Sequence, residues 1–147
     1  MIGYLDASAL VPLLIDEPSS AACRRLWDDA EVIVSSRLLY VETAAALAQA
    51  LRMARLSAGQ HRDGRRRLEA MWSQMDVIEI DEHLVNRAAE LAYRLNLRGY
   101  DAMHAASAEQ LDDDDDVAAS GDQRLLTAWM QLGMSTYDTT QTPTPPE

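Results

Sequence analysis

The chain has 147 residues, 48% of them apolar and 25% charged, a size and balance that predict one globular domain with a sizeable core. Its net charge of -11, carried with no lysine at all, argues against nucleic-acid binding through a broad basic surface. No apolar run approaches the roughly 20 residues that cross a bilayer, no basic segment precedes an apolar one near the N-terminus, and Cys23 stands alone, which together predict a cytoplasmic protein without disulfides.

The opening stretch, "MIGYLDASAL", places Ile2, Tyr4 and Leu5 in a predicted first strand over 2–6 that ends on Asp6. A helix-like apolar run, "ALVPLLI", follows, so Asp6 reads either as a helix cap or as a chemical group. Cys23, three residues before Leu26, reads as core. The second strand is predicted over 31–36, "EVIVSS". After it comes the helical stretch 38–48, "LLYVETAAALA", whose one charge is Glu42. A Glu flanked by Val41 and a run of alanines is rarely buried without a partner.

Ser57 is the predicted N-cap of a helix over 58–74. That helix carries "HRDGRRR" (61–67), whose four arginines form either a solvated face or a phosphate contact. A third strand is predicted over 76–81, with Asp81 capping a helix over 82–95. In that helix Leu84, Ala88, Leu91, Ala92 and Leu95 share one face. The segment 97–111, "LRGYDAMHAASAEQL", predicts a helix starting near Gly99 that carries Asp101 and His104. Alone, Asp101 is a favourable first-turn charge, and His104 reads as a hydrogen-bonded packing residue. The run 112–116, five aspartates, predicts an exposed acidic loop. Strands over 117–121 and 134–138 complete the set, with Asp122 directly after the former. The proline-rich stretch 139–147 predicts a loose tail behind a single domain over 1–138.

Strands alternating with helices predict a parallel sheet covered on both faces. In such sheets ligands bind outside the carboxyl ends of the strands, where strand order reverses. Asp6 and Asp122 both stand at such ends. Of the 24 acidic residues, five lie in 112–116 and four are Asp6, Glu42, Asp101 and Asp122; the remaining 15 nearly balance the 13 arginines. Two carboxylates about 5 Å apart at an effective dielectric near 20 repel by roughly 3 kcal/mol. Convergence of four therefore calls for a cation, and all-oxygen ligation selects Mg²⁺ or Mn²⁺. Such an ion activates water and holds a phosphodiester. Phosphate-handling modules that depend on lysine are excluded, as is a dinucleotide fingerprint, since no glycine follows the first strand in "YLDASALV". A phosphatase built on paired aspartates would need an acid at position 8, which is Ser8.

Taken together, "YLDASALVPLLIDEP", "SSRLLYVETAAAL", "RGYDAMHAASA" and "AASGDQRLL" resemble the four acidic segments of PIN-domain ribonucleases of the VapC type. The resemblance runs over nearly all the chain short of the tail. It implies a three-layer α/β/α sandwich with a five-stranded parallel sheet. It also implies a magnesium-dependent endoribonuclease, with Mn²⁺ able to substitute: the toxin of a bacterial toxin–antitoxin pair. Such a protein is dimeric and restrained by a cognate antitoxin with a basic segment, and its substrates are structured RNAs such as transfer RNA. Asp6 and Asp101 are then the principal metal ligands, and Glu42 and Asp122 complete the site directly or through water. Ser8 and Ser120 orient carboxylates or bound water. The aspartate run departs from the family pattern. The alternative, a PIN-like module that binds RNA or protein without cleaving, would be expected to lack one of the acids, and all four are present.

Overall fold

The computed structural model describes residues 1–111 and 113–141. Its sheet has five strands: β1 (Ile2–Leu5), β2 (Val32–Ser36), β3 (Asp76–Ile78), β4 (Asp116–Ser120) and β5 (Thr136–Asp138). All pairings are parallel, in the order β3-β2-β1-β4-β5. The chain therefore winds one way from β1 to β3 and the other way through β4 to β5, and the reversal falls between β1 and β4.

Side chains alternate across a strand, so neighbouring residues feed opposite layers. Tyr4, Val34 and Ala118 join one core with Leu84, Leu91, Leu125 and Trp129. Leu5, Ile33 and Ala119 join the other with Leu10, Leu39, Leu47 and Leu68. The first layer is built by α5 (Glu82–Arg94), α6 (Gly99–Glu109) and α7 (Gln123–Gln131). The second is built by α1 (Ala7–Leu10), α2 (Ser20–Asp29), α3 (Leu38–Arg52) and α4 (Ala58–Trp72). This is the expected α/β/α sandwich.

Local chemistry sets the helix starts. Ser57 and Gln60 form a reciprocal capping box at α4, and Asp81 accepts from the Leu84 N–H at 2.8 Å to open α5. The run expected as one helix after Asp6 is broken. Pro12 has no N–H to give, and its ring would strike the carbonyl four residues back. The chain therefore passes from α1 into a single 3₁₀ turn, Val11–Leu13. The third strand is shorter than expected, ending at Ile78 as the chain turns toward the Asp81 cap. Among the described residues no helix is long and apolar enough to cross a membrane.

Of the two charged stretches, the arginine cluster keeps Arg62, Arg66 and Arg67 exposed, as a solvated face would, and the acidic run departs from expectation at one residue. Asp116 opens β4 and is buried, with one carboxylate oxygen accepting from the Asp113 N–H at 3.3 Å. The exposed acidic loop thus comprises Asp113, Asp114 and Asp115, while Asp112 lies outside the described residues. In the arginine cluster, Arg65 lies over the Tyr40 ring at 6.0 Å, Arg66 pairs with Asp63, and Arg67 donates to the Leu13 carbonyl at 3.3 Å. The Arg65 and Arg67 contacts join α4 to α3 and to the 3₁₀ turn, while the Arg66–Asp63 pair lies within α4. Of the stretch expected as a tail, the Thr139 N–H bonds the Ser120 carbonyl at 3.1 Å, and residues 142–147 lie outside the described residues.

Cys23 is in the core, and burial pushes its thiol up to about 11. Since the thiolate is the nucleophile, native protein at pH 8 should alkylate with iodoacetamide about 100-fold more slowly than protein in urea. Equal rates by mass spectrometry would show that this side of α2 opens readily.

Candidate active site

The strand reversal is flanked by Asp6, one residue past β1, and Asp122, two residues past β4. Asp6 settles the question its position raises: it is a cap and also a buried acid. Its Oδ1 accepts from the Ala9 N–H at 3.1 Å, starting α1, and from the Ser8 hydroxyl at 2.7 Å. Its Oδ2 accepts from the Ser120 hydroxyl at 2.6 Å. The residue is only 7% exposed. Burial holds its carboxyl above the usual range, and His104, Ser120, Ser8 and the Ala9 N–H counter that only in part.

Ser8 and Ser120 knit the two strand ends together. Their hydroxyls are 3.2 Å apart; Ser8 Oγ accepts from the Gly121 N–H at 2.7 Å, and Ser120 Oγ accepts from the Asp122 N–H at 2.9 Å. A Cβ on Gly121 would sit 3.1 Å from Thr139 Oγ1, so glycine lets the backbone approach this closely. Asp122 in turn caps α7, accepting from the Arg124 N–H at 2.9 Å.

Asp101 lies in the first turn of α6. Arg98 donates from Nε to its Oδ2 at 3.4 Å, while Nη2 of the same guanidinium stands 3.8 Å from Asp122 Oδ2. One largely exposed cation therefore touches two of the four acids, a pairing of little energetic weight at the surface but the right sign. Glu42 projects from α3, its Oε1 2.6 Å from His104 Nε2; His104 Nδ1 lies 2.7 Å from the Tyr4 hydroxyl. Glu42, Arg98, Gly99, Tyr100 and Asp101 line an open groove of about 450 Å³. A cavity of about 520 Å³ beside the 3₁₀ turn, lined by Leu14, Arg55 and Arg67 among others, includes none of the candidate residues. Chemistry, and not volume, locates the site.

The six expected residues thus form a connected chain. Asp6 meets Asp122 through Ser120, Asp122 meets Asp101 through Arg98, and Asp101 shares the groove with Glu42. Among the described residues, no three His, Cys, Asp or Glu side chains close on one point as a full ligand sphere would. The donor chemistry suits a hard divalent cation held by one or two carboxylates and water, the usual habit of Mg²⁺. It does not amount to a four-carboxylate cage. The structure adds Arg98 and Tyr4 to the surroundings of the expected residues, and gives His104, expected as a packing residue, contacts to both Glu42 and Tyr4. The one available signal was the three-residue spacing of Arg98 from Asp101 in "RGYD".

The PIN domain family model matches residues 3–128, a span that includes all four acids. Ribonuclease VapC49 of Mycobacterium tuberculosis (strain ATCC 25618 / H37Rv) is 40% identical over 124 residues, 84% of this chain and 86% of that protein. PAE2754 from Pyrobaculum aerophilum, a crystal structure, shares the fold with a TM-score of 0.69 at 24% identity, over 92% of this chain and 83% of that one. VapBC2 from Rickettsia felis, bound to a DNA fragment from its promoter, gives a TM-score of 0.65 at 14% identity, over 94% of this chain and 100% of that one. The chain belongs to the PIN-domain family, among its VapC ribonucleases.

Proposed function

We propose that this protein is a magnesium-dependent endoribonuclease, the toxin of a toxin–antitoxin pair. The observation that carries the reading is the bonded connection of Asp6, Ser120 and Asp122 across the β1–β4 reversal, with Asp101 joined to Asp122 by one guanidinium. Asp6 and Asp101 would hold the ion, with Glu42 and Asp122 acting directly or through water. When bound, Mg²⁺ supplies an activated water and neutralises charge on the phosphodiester. Ser8 and Ser120 fix the plane of the Asp6 carboxylate, so its geometry is set before any substrate arrives. Arg98 partly neutralises Asp101 and Asp122 in the metal-free protein and stands at the groove wall where an RNA phosphate would enter.

The acidic balance of the chain favours a small antitoxin whose basic segment covers the groove, and a VapBC assembly among the fold neighbours agrees with such a partner. A homodimer working in the cytoplasm completes the reading.

The direct test is cleavage of total RNA by purified protein. Mg²⁺ or Mn²⁺ should support cutting that leaves 5′-phosphate and 3′-hydroxyl ends, and EDTA should stop it. An Asp101→Asn preparation, purified alongside, should be silent. Cutting that survives EDTA, or that persists in Asp101→Asn, would overturn the assignment. RNA bound but left intact by the parent would point instead to a non-cleaving module.

A further inference from the structure

Glu42 needs something to hold it. Its side chain has several rotatable bonds, springs from an alanine-rich stretch of α3, and reaches the groove past the carboxyl edge of the sheet. What it meets there is His104, a 2% exposed imidazole on α6, in the opposite helical layer. An ionised carboxylate only accepts hydrogen bonds, so His104 must present Nε2–H to Glu42 whatever the charge on the ring. The other ring nitrogen, Nδ1, is 2.7 Å from the Tyr4 hydroxyl on β1. With both nitrogens engaged, the ring cannot turn over without losing both bonds.

The support goes one layer deeper. The Tyr4 ring stands edge-on to Trp129 with centroids 5.8 Å apart, and the Trp129 indole N–H reaches the His104 carbonyl at 3.4 Å. A histidine that merely filled space would not need an acid on one nitrogen and a fixed phenol on the other. We propose that His104, held in register by Tyr4, is a positioning residue that fixes the Glu42 carboxylate in the candidate site. The inference rests on the proposed function for what Glu42 does, but the tether itself can be judged without it.

Three readouts on the full-length protein test it. In the metal-free parent, ring ¹⁵N–¹H correlation spectra should show His104 protonated at Nε2, with a signal that shifts in Glu42→Gln. By calorimetry, His104→Leu should weaken Mg²⁺ binding about tenfold, within the usual range for lost outer-shell partners. On a short RNA it should lower kcat by about tenfold or more, with KM changed less than about twofold. His104→Gln, which offers an amide N–H at similar reach, should recover most of both losses, and Tyr4→Phe should lose part. In a Glu42→Gln background, His104→Leu should add nothing, because the group it positions is already altered.

Wild-type kcat and Mg²⁺ affinity in a folded His104→Leu protein would overturn the proposal. So would losses that simply multiply with those of Glu42→Gln. If His104→Leu does not fold, Tyr4→Phe and the ring spectra decide, and a bare Nε2 in the parent sinks the tether outright. A parent that neither cuts RNA nor binds Mg²⁺ would remove the proposed function, while the spectra would still pass judgement on the tether.

Discussion

Asp6→Asn should silence RNA cleavage and, in the absence of metal, raise the melting temperature. The first effect follows from charge. A bound ion stabilises the transition state by several kcal/mol, and each 1.4 kcal/mol or so is tenfold in rate, so losing Asp6, a ligand in the proposed function, should cost about a thousandfold. The second follows from burial. Desolvation raises the folded-state pKa of Asp6 above its unfolded value, so this carboxyl favours the fold most below the unfolded pKa. That contribution is lost as pH rises through the folded pKa, leaving a buried charge held by neutral donors. Asn has no charge to bury, is a good N-cap, and can still bond Ser8 and Ser120. The variant should melt on the order of a few degrees higher in EDTA at pH 7.5, with a flatter dependence on pH. It should also lose the rise that Mg²⁺ gives the parent by binding the folded state alone. Scanning fluorimetry in EDTA and in Mg²⁺ reads both effects. If the variant melts lower in EDTA and still responds fully to Mg²⁺, Asp6 is a helix cap and nothing more.

Trp129→Ala should be the most damaging single change to stability. Trp129 is fully buried, contacts Tyr4 edge-on and donates to the His104 carbonyl. Deleting a buried tryptophan costs about 3–5 kcal/mol, a large share of the 5–15 kcal/mol that roughly holds a domain of this kind together. At about 2–4 °C per kcal/mol, the midpoint should fall by roughly 10 °C. Trp129→Phe should cost less, since a ring still backs Tyr4. Urea melts of both variants check the ranking. A loss below about 1 kcal/mol for Trp129→Ala would mean this layer does not depend on the packing described.

Much of this was legible in the sequence, for identifiable reasons. Strands fed to two cores carry apolar residues in short runs, and Tyr4–Leu5, Ile33–Val34 and Ala118–Ala119 show that pattern. Ser57 and Asp81 announce helix starts through bonds made within a few residues, so no knowledge of the fold is needed to read them. Asp6 and Asp122 stood out because each directly follows a run of strand residues, and Glu42 because it is a single charge among alanines. What stayed hidden depends on partners distant in sequence. His104 shows its role only when Glu42, 62 positions away, and Tyr4, 100 positions away, are brought beside it. Arg98 looked like any surface arginine until α6 and α7 set Asp101 and Asp122 on either side of it. Asp116 belonged by composition to the acidic loop, and only pairing of β4 with β1 buries it. Pro12 was plainly visible, but its power to end α1 was outweighed by the apolar run around it.

The reversal between β1 and β4 also sets the order in which a growing chain can finish its site. Strand β1 is made before the other four strands of the sheet, yet one of its two neighbours, β4, begins only at Asp116. While the intervening residues leave the ribosome, β1 can pair with β2 alone and is a sheet edge with open backbone groups. By the end of that interval Asp6, Glu42 and Asp101 exist, but Ser120, which clamps Asp6, and Asp122 do not. A product cut short between Asp101 and Ser120 therefore holds three of the four acids but lacks the hydroxyl that clamps Asp6. Completion of the proposed site therefore waits on β4, whose pairing with β1 brings Ser120 and Asp122 to Asp6.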